Sequence, residues 1–215
     1  RDSPSTGRTK GIPTFHVFKR NYKGKRRDDG NPLVHALKGR KGYHITPFWK
    51  AQLNKRARQI LGKISKDLHA FDHCLAIPSS ATFCSEFALM VSEVAKADVL
   101  ESNFIRKRSV GEVLQACKDN PPKVRTALRT AFTSQLHTWE ELDPTAVFQA
   151  KNVDTSIRPL FDCFALDGEA PQIEGKNILI VDDLFATGSS LLSVRNIVTN
   201  ELGAKVAYVS FLSGA

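Results

Sequence analysis

The chain has 215 residues, 41% of them hydrophobic and 25% charged. That balance suits a soluble globular protein with one sizeable α/β domain and an appended piece, or with two small domains. No window holds the 18 or more apolar residues of a membrane helix, so no membrane association is expected. The net charge of +9 is unevenly spread: residues 1–66 carry 18 Lys and Arg against 3 Asp, while the remainder is net −6. A strongly basic N-terminal third thus precedes a moderately acidic body.

Residues 1–31 are rich in Gly, Ser, Pro and charge, and read as an irregular arm with one strand at "PTFHVFKR". "NPLVHALKG" reads as a short helix with Gly39 near its end. "TPFWKAQLNKRARQILGKI" is a well-marked helix, with Thr46 as N-cap and Pro47 at its first position. Leu53, Ala57, Ile60, Leu61 and Ile64 share its apolar face. "HCLAIP" at 73–78 suits a buried strand, and "CSEFALMVSEVAKA" an amphipathic helix. "DVLESNFIRKRSV" reads as a strand leading into a basic loop, and "PPKVRTALRTAFTSQLHTW" as a helix started by Pro122. "RPLFDCFAL" and "KNILIVDD" read as strands, "SSLLSVRNIVTNELG" as a helix closed by Gly203, and "AKVAYVSFL" as a last strand. Alternating strands and helices with apolar strands imply a mostly parallel sheet covered on its faces. The division expected is a basic segment over 1–69 and a core over 70–215.

Cys74, Cys84, Cys117 and Cys163 contain no C-x-x-C pair, and the six histidines show no H-E-x-x-H spacing. Reduced, mostly buried thiols are expected, with no zinc site. No charged-then-apolar leader opens the chain, and the expected setting is cytoplasmic.

The most informative stretch is "ILIVDDLFATGSS" at 178–190. An apolar strand ends in two adjacent acids, and a small loop follows that opens onto a helix. Ligands of open parallel sheets sit beyond the carboxyl ends of the strands. Backbone N–H groups, the hydroxyls of Thr187, Ser189 and Ser190, and a helix N-terminus suit a phosphate monoester. Gly188 lets the backbone approach its oxygens. Carboxylates beside such a cradle fit if they accept hydrogen bonds from ribose hydroxyls or lie near magnesium. A sugar 5′-phosphate satisfies all of this. A G-x-G-x-x-G dinucleotide loop is missing, and only 33 residues follow Asp182, far fewer than a receiver domain needs after its first strand.

The stretch resembles the signature of type I phosphoribosyltransferases, in the branch similar to competence protein F. The resemblance implies the α/β fold of that family, a mostly parallel sheet flanked by helices, with residues 1–69 as a basic hood. By position it assigns Asp182 and Asp183 to the ribose hydroxyls of phosphoribosyl pyrophosphate (PRPP). Ala186, Thr187, Gly188, Ser189 and Ser190 fall on its 5′-phosphate. "LAIPSS" resembles the pyrophosphate-binding strand and loop, which points to Ser79, Ser80 and Ala81. "FIRKRSVGEVLQ" places Arg106, Lys107 and Arg108 on a mobile loop over the pyrophosphate. Ser190 stands where Thr is commonest, and "PSSATF" lacks the usual Gly or basic residue. Magnesium, PRPP, an unidentified base or amine acceptor and an oligomeric assembly are implied with the family.

A second expectation belongs to another class: a PRPP- or nucleotide-sensing module without turnover, whose basic third binds nucleic acid or a protein partner. Lys55, Arg56 and Arg58 of "NKRAR" are its candidate nucleic-acid contacts. The intact "DDLFATGSS" favours transfer, and the departure in the pyrophosphate loop favours sensing.

Overall fold

A computed structural model describes residues 4–19, 32–39, 41–79, 81–185 and 187–213. The elements begin with strands β1 (Ser5–Thr9) and β2 (Ile12–Phe18) and helices α1 (Pro32–Leu37), α2 (Pro47–Gly62) and α3 (Ser65–Leu68). Strand β3 (His73–Ala76), helix α4 (Phe83–Ala95) and strands β4 (Asp98–Leu100) and β5 (Ile105–Lys107) follow. Then come α5 (Val110–Asp119), α6 (Arg129–Glu140), β6 (Phe164–Leu166), β7 (Asn177–Leu184), α7 (Ser189–Asn196) and β8 (Lys205–Leu212).

Six strands form one sheet in the order β1-β2-β8-β7-β3-β4. Only the β1–β2 hairpin is antiparallel; β2–β8, β8–β7, β7–β3 and β3–β4 all run parallel. β7 is buried along Ile178–Val181 because neighbours bond it on both sides and both of its faces are covered. The chain leaves β3 through α4 to reach β4 on one side, and leaves β7 through α7 to reach β8 on the other. β3 and β7 are adjacent, so the connections diverge between them. This is the topological switch point of the sheet.

The chain forms two compact units. One comprises residues 1–102, 173–186 and 203–215, and the other residues 103–172 and 187–202. The first holds the six-stranded sheet. On one sheet face Leu179, Val181, Val209 and Phe211 pack with Ala57, Ile60 and Leu61 of α2 and with Phe87, Ala88 and Val91 of α4. Phe211 meets Phe83 and Phe87 edge-on, at ring separations of 4.9 and 5.3 Å. In the second unit β5 and β6 pair antiparallel, and Trp139 of α6 packs against Phe148 and Phe161.

Several expectations are met and several are corrected. Thr46 caps α2, accepting from the Trp49 N–H, and Gly39 has a left-handed backbone just past α1. The segment before residue 20 is not an irregular arm in its described part. β1 and β2 form a hairpin whose second strand extends the parallel sheet, so the compact units do not divide at residue 69. The helix expected from Pro122 starts later: a 3₁₀ turn over Thr126–Leu128 leads into α6. Pro121 biases Asn120 away from helical backbone, and α5 ends at Asp119. β5 lies where a basic loop was expected, and α5 starts shortly after it. Ser109 and Glu112 form a full capping box, a signal that "SVGE" carries in the sequence.

Because α2 buries Leu61 completely against the sheet, Leu61→Ala should cost about 2–5 kcal/mol, read as a lower urea midpoint at unchanged slope. A change below about 0.5 kcal/mol would mean that α2 is not part of the sheet's cooperative core.

Candidate functional site

β7 carries the acid pair. The sequence places Asp182 and Asp183 at the strand end, but the strand continues through Leu184, because β8 keeps pairing as far as Leu184 with Leu212. Both acids therefore lie inside a hydrogen-bonded strand and project to opposite faces of the sheet. Asp182 is opposite Ser210, on the face that carries Ile180 and Tyr208, while Asp183 shares the face of Val181.

The two carboxylates are held differently. Asp182 accepts from the Tyr208 hydroxyl at 3.1 Å and from the Asp183 backbone N–H at 2.8 Å. Tyr208 is fully buried, and its ring packs beside Phe185 and His16. His16 approaches Ser210 with Nδ1 to Oγ at 2.7 Å. Since the Ser210 hydroxyl donates to the Leu212 carbonyl at 2.9 Å, the imidazole is the donor through Nδ1–H. Burial holds the His16 pKa below its ordinary value.

Asp183 is 5% exposed. Its Oδ2 lacks a hydrogen-bond partner but faces the Lys38 ammonium at 2.8 Å, an ion pair without hydrogen-bond alignment. Lys38 directly follows α1, so the basic third contributes a cation to the acid pair. An orphaned buried carboxylate oxygen is costly unless something else donates to it or coordinates it.

Burial, and then the charge of Asp183, push the Asp182 carboxyl up to about 7, against the opposing pull of Lys38 and Tyr208. The Tyr208 hydroxyl is pushed up as well, by burial and by Asp182. Cys84 lies beneath the pair, its thiol 3.6 and 3.5 Å from the carbonyls of Ile77 and Val181. Burial raises its pKa, so it behaves as an inert thiol.

The remaining candidates divide between the two units. The loop after β3 lies beside β7, and the Ile77 N–H bonds the Val181 carbonyl. Ser79 is exposed, and its hydroxyl accepts from the Ala81 N–H at 3.2 Å, closing a local turn. Ser80 and Ala186 lie outside the described residues. Thr187, Gly188, Ser189 and Ser190 belong to the second unit. Gly188 takes a φ of 76°, the left-handed region a side chain would strain, and its carbonyl accepts the Leu192 N–H. The Thr187 and Ser189 hydroxyls lie 2.7 Å apart.

Arg106, Lys107 and Arg108 are not on a free loop. Arg106 and Lys107 belong to β5, paired with Ala165 and Phe164. Glu112 grips Arg106 through both carboxylate oxygens, at 2.7 and 2.6 Å, and Asp167 stands 3.6 Å away. The Arg106 guanidinium, then the Ser109 N–H, hold the Glu112 carboxyl down at about 2. Arg108 donates Nε–H to the Phe164 carbonyl at 2.9 Å. Only Lys107 of the three is uncommitted among the described residues. In the basic third, Lys55 is exposed, Arg56 bonds Gln59, and Arg58 pairs with Glu93. Lys38, Tyr208 and His16 escaped the sequence reading. The apolar run of β8, buried continuously from Ala207 to Leu212, was a signal for Tyr208; nothing local marks the other two.

No protein-family model matches the chain, and neither does any curated protein. Solved structures similar to it include adenine phosphoribosyltransferase from Leishmania tarentolae, at 12% identity, covering 78% of this chain and 72% of that one, with a TM-score of 0.38. The adenine phosphoribosyltransferase from Leishmania donovani is 11% identical over 93% and 83% of the two chains, with a TM-score of 0.42. Likeness at this level fixes neither substrate nor activity, and the fold description stands on the sheet order itself.

The raised Asp182 pKa has a signed consequence. A carboxyl that ionises at about 4 when unfolded and at about 7 when folded binds more protons in the folded state between those values. Its contribution to stability therefore falls as pH rises from 4 to 7. Asp182→Asn should stabilise the protein at pH 8, by up to about 4 kcal/mol, with the gain vanishing near pH 4. Melting curves across pH 4–8 measure it; a gain independent of pH would show that Asp182 is not the titrating group.

Proposed function

We propose that the chain is a phosphoribosyltransferase-type protein that grips the ribose of PRPP with Asp182 and Asp183 and passes the phosphoribosyl group to a base or amine. The observation that carries this reading is a pair of adjacent acids at the switch point of a parallel sheet, Asp182 half-buried and Asp183 buried, with Asp183 Oδ2 held by the Lys38 ammonium but by no hydrogen bond. A buried oxygen of that kind needs a donor, and a vicinal diol supplies two. The acids belong to β7 and point to its opposite faces, so a ribose would bind beyond the end of the strand, with the carboxylates turned toward it. Tyr208 holds Asp182 in place for this, and Lys38 would exchange Asp183 for the ligand.

The phosphate would be held by the segment 187–190. Thr187 lies four positions beyond Asp183 in the sequence, and that length of chain spans at most about 14 Å. A sugar 5-phosphate fits within that reach. Within the second unit, the Gly188 backbone, the Thr187 and Ser189 hydroxyls and the N-terminus of α7 would be the phosphate donors.

Transfer breaks the bond between C1 and the pyrophosphate oxygen, leaves positive charge on the ring, and forms a bond from C1 to the acceptor nitrogen. Ionised carboxylates beside the ring stabilise that charge. Magnesium fits as a partner only with help from the ligand. Among the described residues no three His, Cys, Asp or Glu converge, so Asp182 and Asp183 would share it with substrate oxygens. When bound, it would neutralise charge on the departing pyrophosphate.

One observation favours the second reading, a sensor without turnover. Arg106 is committed to Glu112 and Asp167, and the Ser79 hydroxyl is turned to its own loop, so pyrophosphate meets few ready donors. Thermal melts with PRPP and magnesium, run alongside pyrophosphate release with a panel of nucleobases and amines, separate the two. At 100-fold excess over Kd the ligand should stabilise the protein by about 2.7 kcal/mol. Asp182→Asn with Asp183→Asn should abolish that shift. A shift with pyrophosphate release supports transfer, and a shift without it supports sensing. No shift at millimolar PRPP would end both.

A further inference from the structure

Residues 32–66 contain nine Lys and Arg and no acid. Within this stretch three large aromatic side chains are left in solvent: Tyr43 at 45% exposure, Phe48 at 62% and Trp49 at 61%. Lys38, Lys50 and Arg58 pair with Asp183, Glu86 and Glu93 from other elements, but exposed aromatics beside further exposed cations still suit a partner that is both anionic and flat. Phe48 and Trp49 sit in the first turn of α2 with their rings 5.2 Å apart, edge to face. Lys55 lies seven residues beyond Phe48, and Arg56 seven beyond Trp49. Two helical turns bring each cation onto the line of its aromatic, about 10.5 Å along the axis. α2 therefore presents two parallel rows, each with a ring followed by a positive charge.

Beside these rows is a cavity of about 440 Å³, lined by Leu33, Ala36, Tyr43, Ile45, Trp49 and Leu53. Tyr43 stacks on His35 at 5.9 Å, with their planes 22° apart. The cavity falls in the range of small-molecule pockets, roughly 300–1,000 Å³, and can take a flat ring against Trp49. Duplex nucleic acid keeps its bases stacked inside, whereas a single strand offers both bases and phosphates to such a surface.

We infer that the face formed by Tyr43, Phe48 and Trp49, with Lys55 and Arg56, binds single-stranded nucleic acid by base stacking and backbone contact. The residues are distinct from those assigned to PRPP, so this inference does not depend on that reading. Arg58, whose charge Glu93 takes up, is not part of the face.

Trp49 also provides the probe, because the other tryptophan, Trp139, is buried. Titration of the full chain with oligo(dT) and oligo(rU) at 50 mM salt should quench tryptophan fluorescence and show tighter binding than a duplex of equal length. The two oligonucleotides differ in sugar, and their ratio tells DNA from RNA. Phe48→Ala with Trp49→Ala should weaken binding about tenfold or more, followed by anisotropy of a labelled strand. Lys55→Gln with Arg56→Gln should reduce the salt slope by about 1.4, for two single-strand phosphates. These side chains are exposed, so melting temperatures of the variants should match the parent. The inference is overturned by the absence of binding. Equal binding to single strand, duplex and inorganic polyphosphate, unchanged by the aromatic substitutions, also overturns it. So does self-association in sedimentation that those substitutions remove, which would make the face a contact between copies of the chain.

Discussion

Two neighbouring carboxylates inside a hydrogen-bonded strand are expensive, and much of the first unit is arranged around that cost. β7 cannot move them outward, because β3 pairs with it up to Val181 and β8 on through Asp182 to Leu184. The alternation of a strand sends one acid to each face, which keeps their charges apart. Tyr208 and the backbone then satisfy Asp182, and Lys38 neutralises Asp183. What remains is an Asp182 carboxyl pushed up by burial and by Asp183, and an oxygen of Asp183 held by Lys38 without a hydrogen bond. A fold that needed only a stable sheet would have placed apolar residues there, as it does at Ile178–Val181.

The same pairing explains why the basic N-terminal third belongs with the sheet. β2 extends the sheet beyond β8, α2 buries Ala57, Ile60 and Leu61 on its face, and Lys38 reaches the acid pair. Charge and packing are thus divided between two sides of one helix. The inner side of α2 is apolar and fixed. Its outer side keeps Phe48, Trp49, Lys55 and Arg56 in solvent.

The sequence made the regular elements legible where periodicity and punctuation agreed. Thr46 and Pro47 marked the start of α2, and the apolar run of 178–181 marked the buried strand. The acid pair and the Thr-Gly turn were visible because such residue types rarely occur together at a buried strand end. Partners distant in sequence were not legible. Lys38 and Asp183 are 145 residues apart, and His16 and Ser210 are 194 apart. No local pattern announces such contacts: the parallel pairing of β2 with β8 creates the second, and the approach of the end of α1 to β7 the first. The basic segment 106–108 reads as a loop for a related reason: the nearest pair with its partner strand, Lys107 with Phe164, is 57 apart, and β6 is only three residues long. The capping box of Ser109 and Glu112 is local and legible in "SVGE".

The central claim is that the acid pair is a ribose site. A crystal structure of the protein with ribose 5-phosphate tests it most directly. The account predicts sugar hydroxyls within about 3 Å of the Asp182 and Asp183 carboxylates, with the Lys38 ammonium displaced from Asp183. A saturating ligand found elsewhere, with the Lys38–Asp183 pair intact, would contradict it.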